Sequence, residues 1–478
     1  MTETDHTSVP TREKVLIVGA GPAGLAAAAS LRALDVPFDL VDRAQDVGGI
    51  WNATDPHSAT WPAMRPISSK EMTQFPDLVM PVSFPAFPSV EEIGKYLRAY
   101  AAHHRLTRHF EPGVEVRRAV PFEEGVWQVE LSNGQIRVYR ALVLAPGITS
   151  RPHLPAWAEG LQGGSVRLIH SRDWEGSRGL EGKRVLVVGS GQSAADIAVD
   201  AASRALEVHW SARSGHWVVP RQVGPVPGDV AAAREPAILG RLNEKVADAV
   251  IGRLEGNPAD VGLPTPETSV LEDTVIVSDD VLARVREGRV TPAAQLRDVQ
   301  PDGQVTLEDG STVMADVIVA ATGYEGGIPF LDDDALPRTS AGTPDLFLGA
   351  FPRHRDDLVV MGQMRLAGGI FPILAQQADI AAYFLDAVRR GSRSAEDFRR
   401  LRTGSDESVA TRTAGSTRVA GGGLRERLAQ QVDKLQAATR RSPRPRRLSE
   451  EGLLPFLDRA DLSARLHAAR TVFEQPGS

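Results

Sequence analysis

The chain has 478 residues, enough for two or three domains, and its formal net charge is −7 at pH 7. This acidic balance argues against nucleic acid as the main partner, because phosphate binding requires a basic face. The sequence contains no cysteine, which excludes disulfides, thiolate metal sites and redox-active cysteine pairs.

Nothing in the sequence predicts a membrane or secretory protein. No apolar run reaches the length that spans a bilayer. The N-terminal residues are polar and include acids, unlike a signal or transit peptide. We therefore expect a cytoplasmic protein without membrane or nucleic-acid partners, and we assign no metal ligands.

The first predicted unit is a strand, a glycine turn, a helix and a second strand. Residues 15–18 form a continuous apolar run, as a strand buried on both faces should, and residues 38–42 form the next strand. Gly19, Gly21 and Gly24 give the pattern G-x-G-x-x-G between strand and helix. These glycines permit a tight turn, the approach of a pyrophosphate to the backbone, and close packing of helix on strand. The unit predicts a dinucleotide site.

Two further features extend this first site. Asp42 ends the second strand, eighteen residues after the last of the three glycines, where a carboxylate can accept hydrogen bonds from ribose hydroxyls. The segment Gly48–Trp51 then places two glycines beside a tryptophan. Paired glycines let the chain pass close to a planar ligand, and Trp51 is either a wall for its rings or an ordinary core residue. The combination favours FAD.

The same order of elements recurs from Val185. An apolar strand at 185–188 is followed by the pattern G-x-G-x-x-A, formed by Gly189, Gly191 and Ala194. We predict a second dinucleotide site at this turn.

The second site differs from the first at the ribose position. The strand at 206–213 carries Ser211 and Arg213 where an acid would select a free 2′-hydroxyl. A guanidinium matches phosphate geometry, so this site should prefer NADPH over NADH. Alternatively, Arg213 is a solvated surface charge. Arg221 is a second candidate for the same phosphate.

The strands at 141–147 and 315–324 bracket the second unit, and each ends in a small-residue turn. We therefore predict an α/β fold with two Rossmann-like domains, in which the NADPH domain is inserted into the FAD domain. Turns at 132–135 and 308–311 indicate small β-hairpins. The predicted parts are residues 1–160 (FAD domain, first part), 161–324 (NADPH domain), 325–390 (FAD domain, second part) and 391–478 (C-terminal extension, partly flexible).

The C-terminal extension has two unusual segments. Residues 403–423 are rich in Gly, Ser and Thr and predict a flexible loop. Residues 438–452 are basic and interrupted by proline. We interpret the latter as a solvated surface segment.

Several segments together resemble the flavin-containing monooxygenases, within the class B flavoprotein monooxygenases, over about residues 14 to 390. The segments are "VDRAQDVGGIW" (41–51), "SSKEMTQFPD" (68–77), "HSRDW" (170–174), "ATGY" (321–324) and "GGIFPILAQQA" (368–378). In the last of these, Gln377 falls on the family's flavin-contacting glutamine.

The resemblance implies FAD and NADPH as cofactors and a small-molecule substrate and O2 as partners; a homodimer is left open. In this family NADPH reduces the flavin, and dioxygen adds to give a flavin C4a-hydroperoxide. Bound NADP⁺ protects that intermediate, which then oxygenates a nucleophilic nitrogen or sulfur atom. The protein positions the two rings and excludes water, while the cofactors supply the chemistry.

The implied site residues fall into three groups. Those at FAD are Gly19, Gly21, Gly24, Asp42, Arg43, Gly49, Ile50, Trp51, Val116 and Gln377. Those at NADPH are Gly189, Ser190, Gly191, Gln192, Ser193, Ser211, Arg213 and Tyr324. Those in the catalytic pocket are Ile67, His170 and Trp174.

The sequence departs from the family pattern at the pocket. Many members carry an asparagine three residues before Lys70, where it faces flavin and NADP, but here the residue is Ile67. The aspartate that Baeyer–Villiger members carry nearby to orient an arginine is also missing. Either another group replaces the asparagine, or the enzyme releases peroxide.

Other departures concern the identifying stretch F-x-G-x-x-x-H-x-x-x-aromatic. His170 and Trp174 keep its spacing, but Leu161 replaces the phenylalanine and Gly164 lies two residues too far from the histidine. His170 is either a functional residue or a satisfied structural histidine. Gln192 and Asp379 replace the family's common asparagine and arginine, respectively.

Three alternative functions follow from these patterns. Trp174, in place of the commoner tyrosine, leans toward Baeyer–Villiger oxidation of a ketone. Ile67 keeps open an uncoupled NADPH oxidase or a flavoprotein that no longer oxygenates. A thioredoxin-type reductase also pairs FAD and NADPH, but it needs a cysteine pair that the sequence lacks.

Overall fold

The structure is a computed structural model of the chain. It describes residues 9–123, 125–161, 164–234, 244–270, 275–339, 343–366, 368–404, 456–457 and 459–474. The predicted segment 438–452 lies outside these ranges, as does all but the first two residues of the segment 403–423.

Sixteen strands make up the four larger sheets of the described residues. They are β1 Val15–Val18, β2 Phe38–Asp42, β3 Phe110–Pro112, β4 Val116–Pro121, β5 Trp127–Leu131, β6 Ile136–Tyr139, β7 Ala141–Leu144, β8 Arg167–His170, β9 Arg184–Val188, β10 Glu207–Ser211, β11 Thr291–Ala293, β12 Leu296–Val299, β13 Gln304–Leu307, β14 Thr312–Met314, β15 Val317–Ala320 and β16 Leu358–Val360. Two-residue strands complete four small ladders at Val218–Val219 with Ile276–Val277, Gln222–Val223 with Val226–Pro227, Leu346–Phe347 with Phe351–Pro352, and Arg365–Leu366 with Phe456–Leu457.

The α-helices in the described ranges are α1 Pro22–Ala33, α2 Lys70–Thr73, α3 Val90–His103, α4 Gln192–Ala201, α5 Gly228–Arg234, α6 Glu244–Leu254, α7 Val281–Arg286, α8 Phe371–Arg390, α9 Arg393–Thr403 and α10 Arg459–Arg470. Within these ranges, none of the helices is long and apolar enough to cross a membrane.

Two five-stranded parallel sheets organise the molecule. The first has the order β16-β7-β1-β2-β3 and the second the order β11-β10-β9-β15-β8. The second sheet is inserted in the chain between β7 and β16 of the first, which confirms the predicted α/β fold. The residue boundaries of the domains stay a prediction.

The predicted strands and turns fall where the patterns placed them. The runs at 15–18 and 38–42 are β1 and β2, paired with Val15 opposite Phe38. The turn at 132–135 joins β5 to β6, and the turn at 308–311 joins β13 to β14. Each hairpin belongs to a three-stranded antiparallel sheet.

Small side chains bring the helices close to the sheets. The alanine-rich helix α1 buries Ala26, Ala27 and Ala28 in a core that it shares with α8. The helix α4 buries Ala194, Ala198 and further apolar side chains of the same face against the second sheet. Short side chains allow this approach, so both glycine turns are held at the carboxyl ends of their central strands.

The described C-terminal residues, 456–457 and 459–474, contribute to the first core. Leu462, Leu466 and Ala469 of α10 and the following Phe473 are buried there. The last described part of the extension therefore packs on the first domain.

Polar contacts fix α10 on α8. Asp379 accepts hydrogen bonds from Ser30 Oγ at 2.9 Å and Arg470 Nη1 at 3.1 Å, and Ser463 Oγ donates to Gln376 Oε1 at 3.0 Å. The departure from the family's arginine at 379 thus has a structural reason, because the acid pairs with an arginine of the C-terminal helix.

Candidate active site

The first glycine turn lies between β1 and α1. Gly19 has φ +105°, and a Cβ atom there would lie 2.2 Å from the carbonyl oxygen of Ala145. A Cβ at Gly24 would lie 1.7 Å from the carbonyl oxygen of Gly19. Only glycine is compatible with these distances, so sterics fix the turn that the sequence predicted.

A second backbone turn faces the start of α1. Gly49 has φ +58°, and a Cβ there would lie 2.9 Å from Cα of Gly21. Ile50 is held because its carbonyl accepts bonds from the hydroxyls of Ser58 and Thr60. Trp51 is half-buried and packs against the first core. Gly21 and Gly49 thus form a crease without side chains at the N-terminus of α1, and such a site fits a pyrophosphate.

Asp42 stands at the end of β2 beside this crease. Its Oδ2 accepts a hydrogen bond from Ala20 N–H at 2.6 Å, and its Oδ1 accepts one from Ala44 N–H at 2.9 Å. Burial raises the pKa of Asp42, while the two backbone bonds oppose that rise. Each oxygen retains acceptor capacity for a ribose hydroxyl. The adjacent Arg43 is exposed.

The remaining predicted flavin residues are buried. Val116 lies in β4, in the core behind the first sheet. Gln377 is fully buried in α8, where its Nε2 donates to the carbonyl of Leu348 at 2.9 Å. Its Oε1 has no hydrogen-bond partner. A buried acceptor without a partner is rare, so a ligand donor is one way to satisfy it.

The second glycine turn repeats the first. Gly189 has φ +146°, and a Cβ there would lie 2.2 Å from the carbonyl oxygen of Ala321. Gly191 caps α4, and a Cβ at this position meets no protein atom within 4 Å. Ser193 is exposed in the first turn of α4. The open space before a helix N-terminus fits a second pyrophosphate.

The ribose end of this second turn is formed by Ser190 and the residues after β10. Ser190 Oγ accepts hydrogen bonds from Arg213 N–H at 3.0 Å and Ser214 N–H at 3.1 Å. The side chain of Arg213 is exposed here. A surface depression lined by Ser190, Ser214 and Gly215 adjoins the turn. The role of Arg213 at the 2′-phosphate stays a prediction.

Two other predicted NADPH residues have partners within the protein. Ser211 is buried, and its hydroxyl donates to Ala294 O at 2.8 Å and accepts from Leu296 N–H at 2.9 Å. The Gln192 amide bonds Val277 through both its oxygen and its nitrogen. Both side chains therefore have partners within the fold, and their contact with NADPH stays a prediction.

Arg221 lies in an acidic cluster beside α4. Its Nη1 is 3.4 Å from Asp279 Oδ2, and its Nη2 is 4.0 Å from Asp196 Oδ1. Asp196 also accepts a bond from Gln192 Nε2 at 3.0 Å. Burial raises the pKa of Asp196 to about 6, although Gln192 and Arg221 oppose the rise. Arg221 thus has acidic partners within the protein, and its role at the 2′-phosphate stays a prediction.

His170 and Trp174 are hydrogen-bonded within the protein. His170 Nε2 is 3.0 Å from the carbonyl of Gly323, and its Nδ1 accepts from Arg172 N–H at 3.1 Å. Burial lowers the pKa of His170, which agrees with a neutral ring satisfied at both nitrogens. Trp174 is buried in the second core and donates to Asp200 Oδ2 at 2.9 Å. Both rings therefore have partners within the protein, which favours the structural interpretation, and their catalytic roles stay a prediction.

Tyr324 and Gly164, which the sequence patterns also singled out, both have close contacts within the protein. Tyr324 packs edge-on against His170, with 5.2 Å between ring centroids, and burial raises its pKa. Gly164 lies against Pro301, whose carbonyl oxygen would be 2.6 Å from a Cβ at this position. The shifted glycine of the identifying stretch thus serves a close backbone contact.

The segment before α2 contains Ile67, which is 40 % exposed. The charged group of Lys70 is not free in this region, because its Nζ donates to the carbonyl of Phe84 at 2.8 Å. Ser69 is buried, its backbone N–H donates to Asp229 Oδ2 at 2.7 Å, and its Oγ has no partner. No sequence pattern marks Asp229, which lies 160 residues further along the chain than Ser69.

Comparison with known proteins gives a consistent result. The family description "FMO-like: Flavin-binding monooxygenase-like" matches residues 12–403. Dimethylaniline monooxygenase (N-oxide-forming) 2 from Rattus norvegicus is 31% identical over 399 residues, which are 79% of this chain and 74% of that protein.

Solved structures share the fold. Cyclohexanone monooxygenase from a Rhodococcus species, bound to NADP⁺, superposes with a TM-score of 0.65 at 18% identity, covering 97% of each chain. S-allyl-L-cysteine S-oxygenase from Allium sativum gives a TM-score of 0.55 at 21% identity, covering 96% of this chain and 98% of the other. The chain belongs to the flavin-binding monooxygenase-like family, whose members are oxidoreductases that use FAD and NADP(H).

Proposed function

We propose that the protein oxygenates a nucleophilic nitrogen or sulfur atom of a small organic substrate, using NADPH, FAD and O2. The observation that carries the proposal is the presence of two dinucleotide turns, each at the carboxyl end of a central parallel strand. The sequence has no cysteine to receive electrons from a flavin. Dioxygen is the acceptor that remains within the chemistry of the family.

Each turn supports one cofactor. The crease between Gly21 and Gly49, with Asp42 beside it, fits the pyrophosphate and ribose of FAD. The open N-terminus of α4 at Gly191, with Arg213 nearby, fits NADPH. When bound, the two cofactors supply hydride transfer and oxygen activation. The protein supplies backbone N–H groups for the phosphates and a carboxylate for the ribose.

The choice of a heteroatom over a ketone rests on two observations. The relative from Rattus norvegicus is named for N-oxide formation. Moreover, Trp174, whose identity favoured ketone oxidation, is buried in the second core and hydrogen-bonded to Asp200, which weakens that argument. The likeness to cyclohexanone monooxygenase concerns the fold alone.

Purified protein provides the test. We expect flavin absorbance, and oxidation of NADPH that a tertiary amine or a thioether accelerates, with the N-oxide or sulfoxide as product. A panel of ketones, with detection of esters and lactones, is the matched control. Products from ketones alone would contradict heteroatom oxygenation, and release of peroxide with every substrate would indicate an oxidase. The cytoplasmic location and a homodimer stay predictions.

A further inference from the structure

The described C-terminal residues, 456–457 and 459–474, lie beyond the part of the chain that matches the family, which ends at residue 403. We call these residues the C-terminal segment. The family pattern does not account for them, yet they pack on α8, the helix that carries Gln377. Their contacts with that helix therefore point to a feature that this chain adds to the family fold.

The C-terminal segment is hydrogen-bonded to α8 on both sides of Gln377. Ser463 Oγ donates to Gln376 Oε1 at 3.0 Å, one residue before Gln377. Arg470 Nη1 donates to Asp379 Oδ2 at 3.1 Å, two residues after it. Because these bonds lie within one turn of the helix, they fix the position of the backbone from which the Gln377 side chain projects.

Leu457 lies close to the Gln377 amide itself. A Cβ atom at Gly349 would lie 3.1 Å from Leu457 Cδ1 and 3.3 Å from Gln377 Nε2, so both side chains border the space that this glycine leaves open. Met364 Sδ is 3.6 Å from the same nitrogen, which also donates to the carbonyl of Leu348 at 2.9 Å. Leu457 therefore helps to confine an amide whose nitrogen already has a partner within the protein.

The strand that carries Leu457 is attached to the ligand-binding edge of the first sheet. Residues 456–457 pair with residues 365–366, a few residues after the carboxyl end of β16. Between them, Gln363 Nε2 donates to the carbonyl of Gly147, in the turn after β7, at 2.9 Å. Because ligands of open parallel sheets bind at the carboxyl ends of the strands, the C-terminal segment lies on the side of the domain that carries the first glycine turn.

The oxygen of the Gln377 amide is left for a ligand. The residue is fully buried, and its Oε1 has no hydrogen-bond partner among the described residues. Exchanging the oxygen and nitrogen by rotation of the amide would break the bond to Leu348, so the amide cannot satisfy both atoms within the protein. Buried acceptors are almost always paired, and the flavin ring system carries an N–H donor.

We infer that the C-terminal segment is a positioning element of the flavin site: Leu457 and Ser463 hold the Gln377 amide so that its Oε1 accepts a hydrogen bond from bound FAD. The inference rests on the assignment of FAD to the first glycine turn and goes beyond the proposed function, because it involves neither substrate nor NADPH. Since linkage is reciprocal, FAD bound through Gln377 also stabilises the C-terminal segment on α8.

Titration of the full-length apoprotein with FAD, followed by flavin fluorescence, tests the inference. Leu457→Ala should raise the Kd for FAD by about 3- to 10-fold, the effect of losing one hydrogen bond, and Leu457→Met should restore most of the affinity. The control for general loss of packing is Leu385→Ala, which truncates a buried leucine eight residues beyond Gln377 in α8. It should lower thermal stability without changing the Kd. Ala464→Ser, at an exposed position of α10, should change neither.

A double-mutant cycle separates positioning from packing. If Leu457 acts through Gln377, Leu457→Ala should have little further effect on the Kd in a Gln377→Leu background. Hydrogen exchange gives a second readout that needs no variant of the C-terminal segment. The amides of α10 should exchange more slowly in FAD-loaded protein than in apoprotein, and Gln377→Leu should reduce that difference.

The outcomes separate the inference from the proposed function. An unchanged Kd for Leu457→Ala, or an equal loss of affinity with and without Gln377, would overturn the inference. Equal exchange in α10 with and without FAD would overturn it as well. Because these measurements use no substrate, NADPH or O2, such results leave the proposed function in place. A wild-type apoprotein that binds no FAD would contradict both.

Discussion

Replacing Asp196 with asparagine should stabilise the protein at neutral pH. Burial raises the pKa of this carboxyl from its ordinary value of 3.8 to about 6. The folded protein therefore binds a proton between those values that the unfolded chain has released, so the free energy of unfolding falls as pH rises through that window. The full cost is present above pH 6 and amounts to about 3 kcal/mol, at about 1.4 kcal/mol per pH unit.

The asparagine variant keeps the shape of the site and loses the charge. Its Oδ1 can still accept the bond from Gln192, whose amide also stays bonded to Val277. Arg221 keeps its contact with Asp279. Some of the 3 kcal/mol is offset because Arg221 loses the attraction of Asp196, so we expect a gain of about 1–3 kcal/mol at pH 8.

Thermal unfolding of the FAD-loaded protein measures this effect. The midpoint of the Asp196→Asn variant should exceed that of wild type by about 1–3 degrees at pH 8, because the entropy of unfolding of a 478-residue chain is about 1 kcal/mol/K. The difference should shrink at pH 5.5. The matched control is Asp279→Asn, which alters a half-exposed carboxylate of the same arginine and should change stability by about 0.5 kcal/mol or less. A variant less stable than wild type at pH 8 would refute the reasoning, since the ionised carboxylate would then be net stabilising.

Three further predictions concern the cofactors and the pocket. Arg213→Ala should raise KM for NADPH by about tenfold or more while leaving KM for NADH unchanged. An unchanged preference for NADPH in steady-state kinetics would show that Arg213 does not bind the 2′-phosphate. Gly191→Val should weaken NADPH binding without lowering thermal stability, because a Cβ atom there meets no protein atom within 4 Å. Gly24→Ala should instead lower both the thermal stability and the amount of bound flavin, because a Cβ atom there would lie 1.7 Å from the carbonyl oxygen of Gly19. Ile67→Asn should lower the peroxide released per NADPH oxidised; an unchanged ratio would show that the amide donor does not matter at this position.

The sequence predicted the parts that are governed by local rules. The two glycine turns were predictable because steric exclusion at Gly19 and Gly189 leaves no other residue type. The strands were predictable from continuous apolar runs, since a parallel strand is buried on both faces.

Side-chain direction was not predictable from spacing. His170 and Trp174 keep the family spacing, yet their rings bond Gly323 and Asp200 inside the protein. Ser211 is a further example, because sequence spacing does not show whether the last side chain of a strand faces the core or the ligand. Here its hydroxyl is bonded within the protein. A pattern of residue types fixes position along the chain and leaves the partner undetermined.

Contacts between distant segments were missed altogether. Asp229 meets Ser69 across 160 residues, and no local pattern marks such a pair. The C-terminal helix could have been found, since Leu462, Leu466 and Ala469 recur at helical spacing and bury one face. Its docking on α8 depends on tertiary packing.

The most direct test of the proposed function is the stoichiometry of a single reaction mixture. Purified FAD-loaded protein would be given NADPH, O2 and a thioether, and the NADPH oxidised, the sulfoxide formed and the peroxide released would be measured together. We predict sulfoxide and oxidised NADPH in nearly equal amounts, with little peroxide. Oxidation of NADPH that yields peroxide and no sulfoxide or N-oxide, across thioethers and tertiary amines alike, would contradict the proposed function.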